Sequence, residues 1–412
     1  MNSKTFCMAP WASVNLYTNG EMVPCRHWHT SKHHHTLNRD HSARGTEEPM
    51  FFYDFDEYIN SKHIVDTRKN QYNGVFVDSC NRCWEDERAG KTSLRQVYNK
   101  TFAKHFDFSL INKETFETTD AAVVSMDIKM GNYCNLKCAM CRPELSSSIA
   151  QEQHDHKDKF KFNKLTSVNI NTFVNSEKKL SKFDKNSKLA YRWQKTEEFQ
   201  QFFNRFKNQL RWISLTGGDP AIQPATIDLL KLITKPELTT ISITTNGTSA
   251  NNTLINVLKK FKEVWVNVSL EAVGEQNNQI RFPSVWNNIE HNITIYSQLP
   301  QIYMYISHVL QSFSAINLVE LIGWCDQRKF KMDILELSEP SFLVLNSVPP
   351  LVMENFHTEL KKINSTLNQH VVDAALHWVL KYKYDTNLHQ QRVQYLETLD
   401  SIRGTQLAKN YE

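Results

Sequence analysis

Three cysteines fall close together in the run Gly131-Asn132-Tyr133-Cys134-Asn135-Leu136-Lys137-Cys138-Ala139-Met140-Cys141, spaced Cys-x3-Cys-x2-Cys. Three thiolates on one short loop can hold three irons of a [4Fe–4S] cube. The fourth iron is then open to a small molecule, unlike that of a cluster ligated at every corner. An open coordination position is what a catalytic metal site needs. On spacing alone a zinc loop remains the alternative. A second set lies nearer the N-terminus: Cys7 and Cys25, with Gly20 between them, then Cys80-Asn81-Arg82-Cys83. Four sulfur ligands suit either tetrahedral zinc or a closed [4Fe–4S] cluster, and the sulfurs do not choose between them. The remaining cysteine, Cys325, sits beside Trp324 in a helical pattern and reads as core.

The triplet follows directly on an apolar, β-branched run at 122–130. Further strand candidates are 211–215, 239–245, 264–270, 302–310 and 332–337. Helix-like segments at 144–156, 196–210, 223–234, 251–262, 284–298 and 315–329 alternate with them. This rhythm predicts an α/β fold of parallel β/α units. Six strands are too few to close an eight-stranded barrel, so an open, partial TIM-like (β/α)6 barrel is expected, with ligands at the C-terminal ends of its strands. Upstream, the stretch around Thr18-Asn19-Gly20 predicts a hairpin, and 85–105 reads as helix. The expected domains are an N-terminal cysteine-rich accessory domain at 1–110, the barrel at 120–345 and a C-terminal helical extension at 346–412.

Several strand ends carry residues suited to holding a ligand. The second barrel strand runs into Thr216-Gly217-Gly218-Asp219-Pro220, where paired glycines allow close backbone approach and a carboxylate can accept from an ammonium. The third ends at Thr245-Asn246-Gly247. The fourth ends at Ser269-Leu270-Glu271-Ala272-Val273-Gly274-Glu275, followed by Gln279-Ile280-Arg281.

Taken together, these motifs resemble the radical S-adenosylmethionine superfamily over nearly the whole chain, including the Leu399–Gly404 run LDSIRG. That resemblance implies a catalytic [4Fe–4S] cluster on Cys134, Cys138 and Cys141, with S-adenosylmethionine bound at its open iron and cleaved to a 5′-deoxyadenosyl radical for hydrogen abstraction. It assigns Gly217, Gly218 and Asp219 to the cofactor's ammonium, Asn246 and Ser269 to the cofactor cleft, and Arg281 to its carboxylate. Glu271 stands where relatives show Asp, as Asp219 stands where they show Glu, and Met140 replaces a bulky, usually aromatic residue. Phe6-Cys7-Met8-Ala9-Pro10-Trp11 and the spacing of Cys7, Gly20, Cys25, Cys80 and Cys83 resemble the twitch/SPASM accessory domain, which implies an auxiliary [4Fe–4S] cluster. Relatives with that domain often modify peptides or proteins, so a peptide or protein substrate is expected, with a carbohydrate or nucleoside as the alternative. An external one-electron donor of flavodoxin or ferredoxin type is expected as well. The rival reading is a non-enzymatic zinc- or iron–sulfur-binding interaction module.

Composition sets the outer limits. The chain has 412 residues, 40 % hydrophobic and 22 % charged, as a folded domain requires. No apolar run is long enough for a membrane helix, and the N-terminus lacks a signal-peptide layout, so the expected compartment is the cytoplasm. The net charge of +4 does not by itself call for nucleic acid. Residues 157–195 carry ten lysines and one arginine against three acids, about +8, which leaves the remainder near −4. This segment reads as a basic insertion and a solvated loop. His27, His29, His33, His34, His35 and His41 crowd one stretch, best read as an exposed polar loop.

Overall fold

The computed structural model describes residues 4–28, 50–88, 90, 92–160 and 190–411. Most of the histidine run and most of the basic insertion therefore lie outside the described residues. The side chains of residues 190–192 are likewise not described.

Eight strands form one sheet in the order β2-β1-β3-β4-β5-β6-β7-β8. They are β1 (Ser13–Leu16), β2 (Met22–Val23), β3 (Ser125–Lys129), β4 (Trp212–Thr216), β5 (Thr240–Thr245), β6 (Glu263–Ser269), β7 (Ile302–Leu310) and β8 (Lys331–Glu336). All six strands expected in the barrel are present, and helices lie between consecutive members from β3 to β8. The difference is at the N-terminus. The hairpin turns at Gly20, whose φ of +86° is left-handed, and β1 pairs antiparallel with β2. On its other edge β1 pairs parallel with β3, matching Asn15 to Asp127. The hairpin thus lengthens the sheet to eight mostly parallel strands.

The chain divides into two compact units. The first comprises Met1–Tyr133, Ser167–Ser242 and Asn256–Lys262; the second comprises Cys134–Thr166, Ile243–Ile255 and Glu263–Glu412. In the first, Val14, Leu16, Met126, Ile128, Ile213 and Leu215 alternate along β1, β3 and β4 on one face, none more than 1 % exposed. The intervening positions, Ser13, Asn15, Ser125, Asp127 and Ser214, are polar yet also buried. The helix Glu197–Phe206 carries Phe199, Phe202, Phe203 and Phe206 on one side. Their spacing makes an apolar stripe, and Phe52, Phe55 and Trp193 pack edge-on or tilted against it. Each buried ring contributes about 1.5–3 kcal/mol of burial free energy.

The second unit has a core that includes part of the cysteine loop. Cys134, Leu136, Cys138, Ala139 and Met140 cluster with Phe313, Phe342, Tyr395, Leu396, Leu399, Leu407 and Tyr411. Helices follow β8 at Pro350–Lys362, Gln369–Val379, Thr386–Arg403 and Leu407–Tyr411. The apolar side of the last two is part of this core.

Candidate functional site

The cysteine loop leaves β3 and is pinned by its neighbours before any metal is considered. Ser146 caps the helix Ser147–Asp155 by accepting from the Ile149 amide, and its hydroxyl donates to the Leu136 carbonyl at 2.7 Å. Ser148 donates to the Cys134 carbonyl at 2.7 Å, and the Cys134 amide donates to the Ser147 hydroxyl at 3.4 Å. The Lys137 and Ala139 amides donate to the carbonyls of Phe282 and Ile280 at 2.6 and 2.8 Å. Three consecutive serines and one backbone segment therefore set the loop's path. The Ser146-Ser147-Ser148 run stood in the sequence and was missed there; three small hydroxyls at a helix start are the signal that finds it.

The C-terminal helix braces the same loop. Tyr395 donates to the Ala139 carbonyl at 2.7 Å. Arg403 binds Glu152 through Nε and Nη2 at 2.6–3.2 Å, both side chains 2 % exposed, and Lys137 of the loop reaches Glu152 at 3.3 Å. This brace was also missed, because no local pattern joins residues some 250 positions apart.

Burial of Cys138 raises its thiol pKa, and burial pushes Cys141 up to about 12 with a smaller contribution from Cys138. Without a cation the thiols are held neutral; a bound metal ion would reverse that preference, because only thiolates ligate. A permanent cation is already close. Arg281 is 7 % exposed and, as a guanidinium, stays protonated; burial works against its charge, while Glu271 and the loop cysteines in their thiolate form, Cys138 first, favour it and raise its pKa. Its Nη1 donates to Glu271 Oε1 at 3.3 Å, while its buried Nε has no hydrogen-bond partner among the described residues.

Glu271 is fully enclosed. It accepts from Gln311 at 3.1 Å and lies 3.6 Å from His308. Burial pushes its carboxyl up to about 7 against the pull of Arg281. Arg281 keeps its charge because a guanidinium is not deprotonated in proteins, whereas the pull of Arg281 on Glu271 is smaller than the effect of burial. Burial lowers His308 to about 4, so it is neutral at pH 7 and bonded to Leu270 O and Ser314 Oγ. Sequence reasoning put Glu271 and Arg281 separately in a cofactor cleft; the structure binds them to each other. Gln311 and His308 carried no sequence signal.

Asn246 also reaches the loop. Its Nδ2 donates to Asn135 Oδ1 at 2.8 Å and lies 3.8 Å from Cys134 Sγ, while its Oδ1 accepts from Thr248. Ser269 is half-buried at the end of β6, opposite Ser307 in the parallel ladder.

In the first unit, the Gly217-Gly218 turn follows β4. Both glycines have positive φ, and a Cβ on Gly218 would stand 2.2 Å from the Tyr133 carbonyl oxygen. That backbone approach tolerates only glycine. Asp219 is fully buried; its amide donates to Tyr133 O, and its Oδ1 accepts from the Ala221 amide at 2.9 Å. Gln223, which sequence reasoning omitted, donates to Gly217 O and Tyr133 O.

The four N-terminal cysteines are also gathered in this unit. Cys7 and Cys83 share a core with Trp11, Leu94, Tyr98 and Phe102, against which Cys25 packs. Cys7 is raised by burial and then by Cys25, Cys80 and Cys83; Cys80 is pushed to about 12 by burial and Cys83. Gln71 donates to Cys80 Sγ at 3.2 Å. All eight cysteines of the chain are free thiols. Among the described residues no group of three or more His, Cys, Asp or Glu side chains forms a ready site for a metal ion. No helix among the described residues is long and apolar enough to cross a membrane.

Residues 128–299 match the family model of the Radical SAM superfamily. No curated protein matches the chain. Among solved structures, the chain is similar to Streptococcus suis SuiB bound to S-adenosylmethionine, at 15 % identity over 76 % of this chain and 61 % of SuiB, TM-score 0.37. It is similar to SuiB bound to precursor peptide SuiA, at 16 % identity over 78 % and 66 % of the two chains, TM-score 0.37. It is similar as well to native anSMEcpe with bound AdoMet, at 16 % identity over 52 % of each chain, TM-score 0.35. The chain spans about three fifths of the length of the first of these and about half of anSMEcpe. The segment 128–299 that matches this superfamily model contains the three loop cysteines, the Gly217-Gly218-Asp219 turn, Asn246, Ser269, Glu271 and Arg281.

Proposed function

We propose that the protein is a radical S-adenosylmethionine enzyme acting on a peptide or protein. The observation that carries this reading is the hydrogen-bonded loop presenting Cys134, Cys138 and Cys141 beside Arg281, inside the residues that match the superfamily model. The donor set fits the group: three sulfurs from one loop suit a [4Fe–4S] cluster with one iron left for an external ligand. When bound, such a cluster supplies one-electron cleavage of S-adenosylmethionine to a 5′-deoxyadenosyl radical that takes hydrogen from the substrate.

The chain's own residues bind and orient. The three serines hold the loop and Asn246 steadies its first turn. Arg281, fixed by Glu271, provides a buried positive charge and an unpaired Nε for the cofactor's carboxylate. Gly217, Gly218 and Asp219 receive its ammonium, and Ser269 and Glu271 belong to the cofactor cleft and its support. Cys7, Cys25, Cys80 and Cys83 hold an auxiliary [4Fe–4S] cluster in a twitch-type accessory domain at 1–110, ahead of the barrel at 120–345 and the helical extension at 346–412. Electrons come from an external flavodoxin- or ferredoxin-type donor.

The test is anaerobic reconstitution with iron and sulfide, followed by dithionite and S-adenosylmethionine. The expected protein is brown, absorbs broadly near 400 nm, binds about eight irons per chain if both clusters are cubes, and releases 5′-deoxyadenosine. A colourless protein carrying only zinc, or one that never cleaves S-adenosylmethionine, overturns the reading.

A further inference from the structure

Glu271 and Arg281 meet through one hydrogen bond where two are available. A guanidinium and a carboxylate often lie fork to fork, with two parallel N–H···O bonds, and burial favours such good geometry. Here Glu271 is 1 % and Arg281 7 % exposed, yet a single bond joins them, from Nη1 to Oε1 at 3.3 Å. The buried Nε has no partner among the described residues, and no hydrogen bond runs from Nη2 to any of them. Nε and Nη2 lie along the same edge of the planar guanidinium, so one complete fork is left open.

The second oxygen of the carboxylate is held elsewhere. Oε2 of Glu271 accepts from Nε2 of Gln311 at 3.1 Å, and Gln311 has no exposed surface. The Oε1 of Gln311 is buried without a partner among the described residues, so the side chain's one hydrogen bond is the one to Glu271. Gln311 is itself fixed: its amide donates to Ser314 Oγ at 2.9 Å, which lies 2.7 Å from His308 Nε2. Asn277 ties the two backbones together. Its Oδ1 accepts from the Glu271 amide at 3.2 Å, and its carbonyl accepts from the Arg281 amide at 2.8 Å. We propose that Gln311 is a positioning residue for Arg281. By holding Oε2 it keeps Glu271 from closing onto both terminal nitrogens, and so reserves the Nε and Nη2 edge for an incoming carboxylate, that of S-adenosylmethionine. Without Gln311 the carboxylate turns into a fork on Nη1 and Nη2, and the arginine offers one free donor instead of two. The inference rests on the assignment of Arg281 to the cofactor's carboxylate, and adds a residue that acts through Glu271.

The experiment uses the full chain, reconstituted anaerobically and kept oxidised, so that nothing is cleaved. Equilibrium dialysis compares two probes: S-adenosylhomocysteine, which carries the carboxylate, and 5′-methylthioadenosine, which lacks the whole amino-acid portion. In Gln311→Met, similar in length but without the amide, S-adenosylhomocysteine should bind roughly tenfold more weakly, the loss of one charge-assisted hydrogen bond. Methylthioadenosine should bind as it does to wild type. The melting temperature should change little, because the variant exchanges one buried hydrogen bond for another. Adding Glu271→Gln to Gln311→Met removes the carboxylate that closes the fork, and should restore most of the lost affinity. Gln311→Asn, whose amide falls one methylene short, should behave like Gln311→Met and takes its place if that variant does not fold. Weakened binding of both probes identifies Gln311 as structural and overturns the proposal. So does undiminished binding of S-adenosylhomocysteine, or a double variant that binds it no better than the single one. Release of 5′-deoxyadenosine by reduced wild type reports separately on the radical-enzyme reading. A chain that cleaves the cofactor but fails the dialysis test keeps that reading and loses the role of Gln311; a wild type that binds neither probe loses both.

Discussion

The two cysteine sites are built in opposite ways. Cys134, Cys138 and Cys141 lie on one loop whose carbonyls are held by Ser146, Ser148 and Tyr395, with a buried arginine nearby. Cys7, Cys25, Cys80 and Cys83 come from three distant stretches; Cys7, Cys25 and Cys83 belong to an aromatic-rich core, and burial first, then neighbouring cysteines, raise the pKa values of Cys7, Cys25 and Cys80. The first site is positioned by hydrogen bonds from Ser146, Ser148 and Tyr395 to the carbonyls of its own loop. The second is positioned by the tertiary fold, which brings segments distant in sequence together. A local site can be tuned for chemistry; a dispersed one ties distant segments together.

The sharpest way to break this contrast is to remove one ligand from each. Cys134→Ala should abolish 5′-deoxyadenosine release while leaving the melting temperature within a few degrees of wild type. Cys80→Ala should do the reverse, lowering the melting temperature of the reconstituted protein markedly while the 400 nm absorbance of the loop cluster survives. Thermal melting and product chromatography on the two variants decide it; equal thermal losses would erase the distinction. Next in size is the brace. Glu152→Leu strands Arg403, which is 2 % exposed, and breaking a buried pair in this way costs about 3–5 kcal/mol. Urea unfolding measures the loss, and oxygen should bleach the reconstituted loop cluster faster in this variant.

Much of this site was legible in the sequence. The cysteine triplet, the paired glycines and the β-branched strands are local patterns, and each formed where its period or spacing indicated. What was not legible depends on contacts remote in sequence. The parallel pairing of β1 with β3, Tyr395 on Ala139, and Arg403 on Glu152 leave no mark in any short window. Glu271 was visible as a strand-end carboxylate, but its partnership with Arg281 and Gln311 required the fold.

Smaller effects refine the picture. Ser146→Ala removes both a helix cap and a loop hydrogen bond, and should cost about 1–2 kcal/mol in urea unfolding of the metal-free chain. The smallest effect is a pH dependence. Glu271 has a folded pKa of about 7 against an ordinary 4.5, so the native state binds the extra proton and this group's contribution to stability falls as pH rises between those values. His308 is lowered from 6.5 to about 4, so its contribution rises with pH over that window, and the two largely offset each other. Glu271→Gln removes the falling limb. The stability of the metal-free variant relative to wild type should therefore increase from pH 5 to pH 7; a flat or decreasing difference in parallel urea titrations contradicts this.

The seating of Tyr395, Leu399 and Arg403 against the cysteine loop also bears on the order of events during synthesis. A ribosome makes the three cysteines long before it makes the helix that fixes their loop. Until that helix has been made, the nascent loop lacks one wall and the Tyr395 hydrogen bond to the Ala139 carbonyl. The loop therefore takes its hydrogen-bonded path only after residues 395–403 have been made.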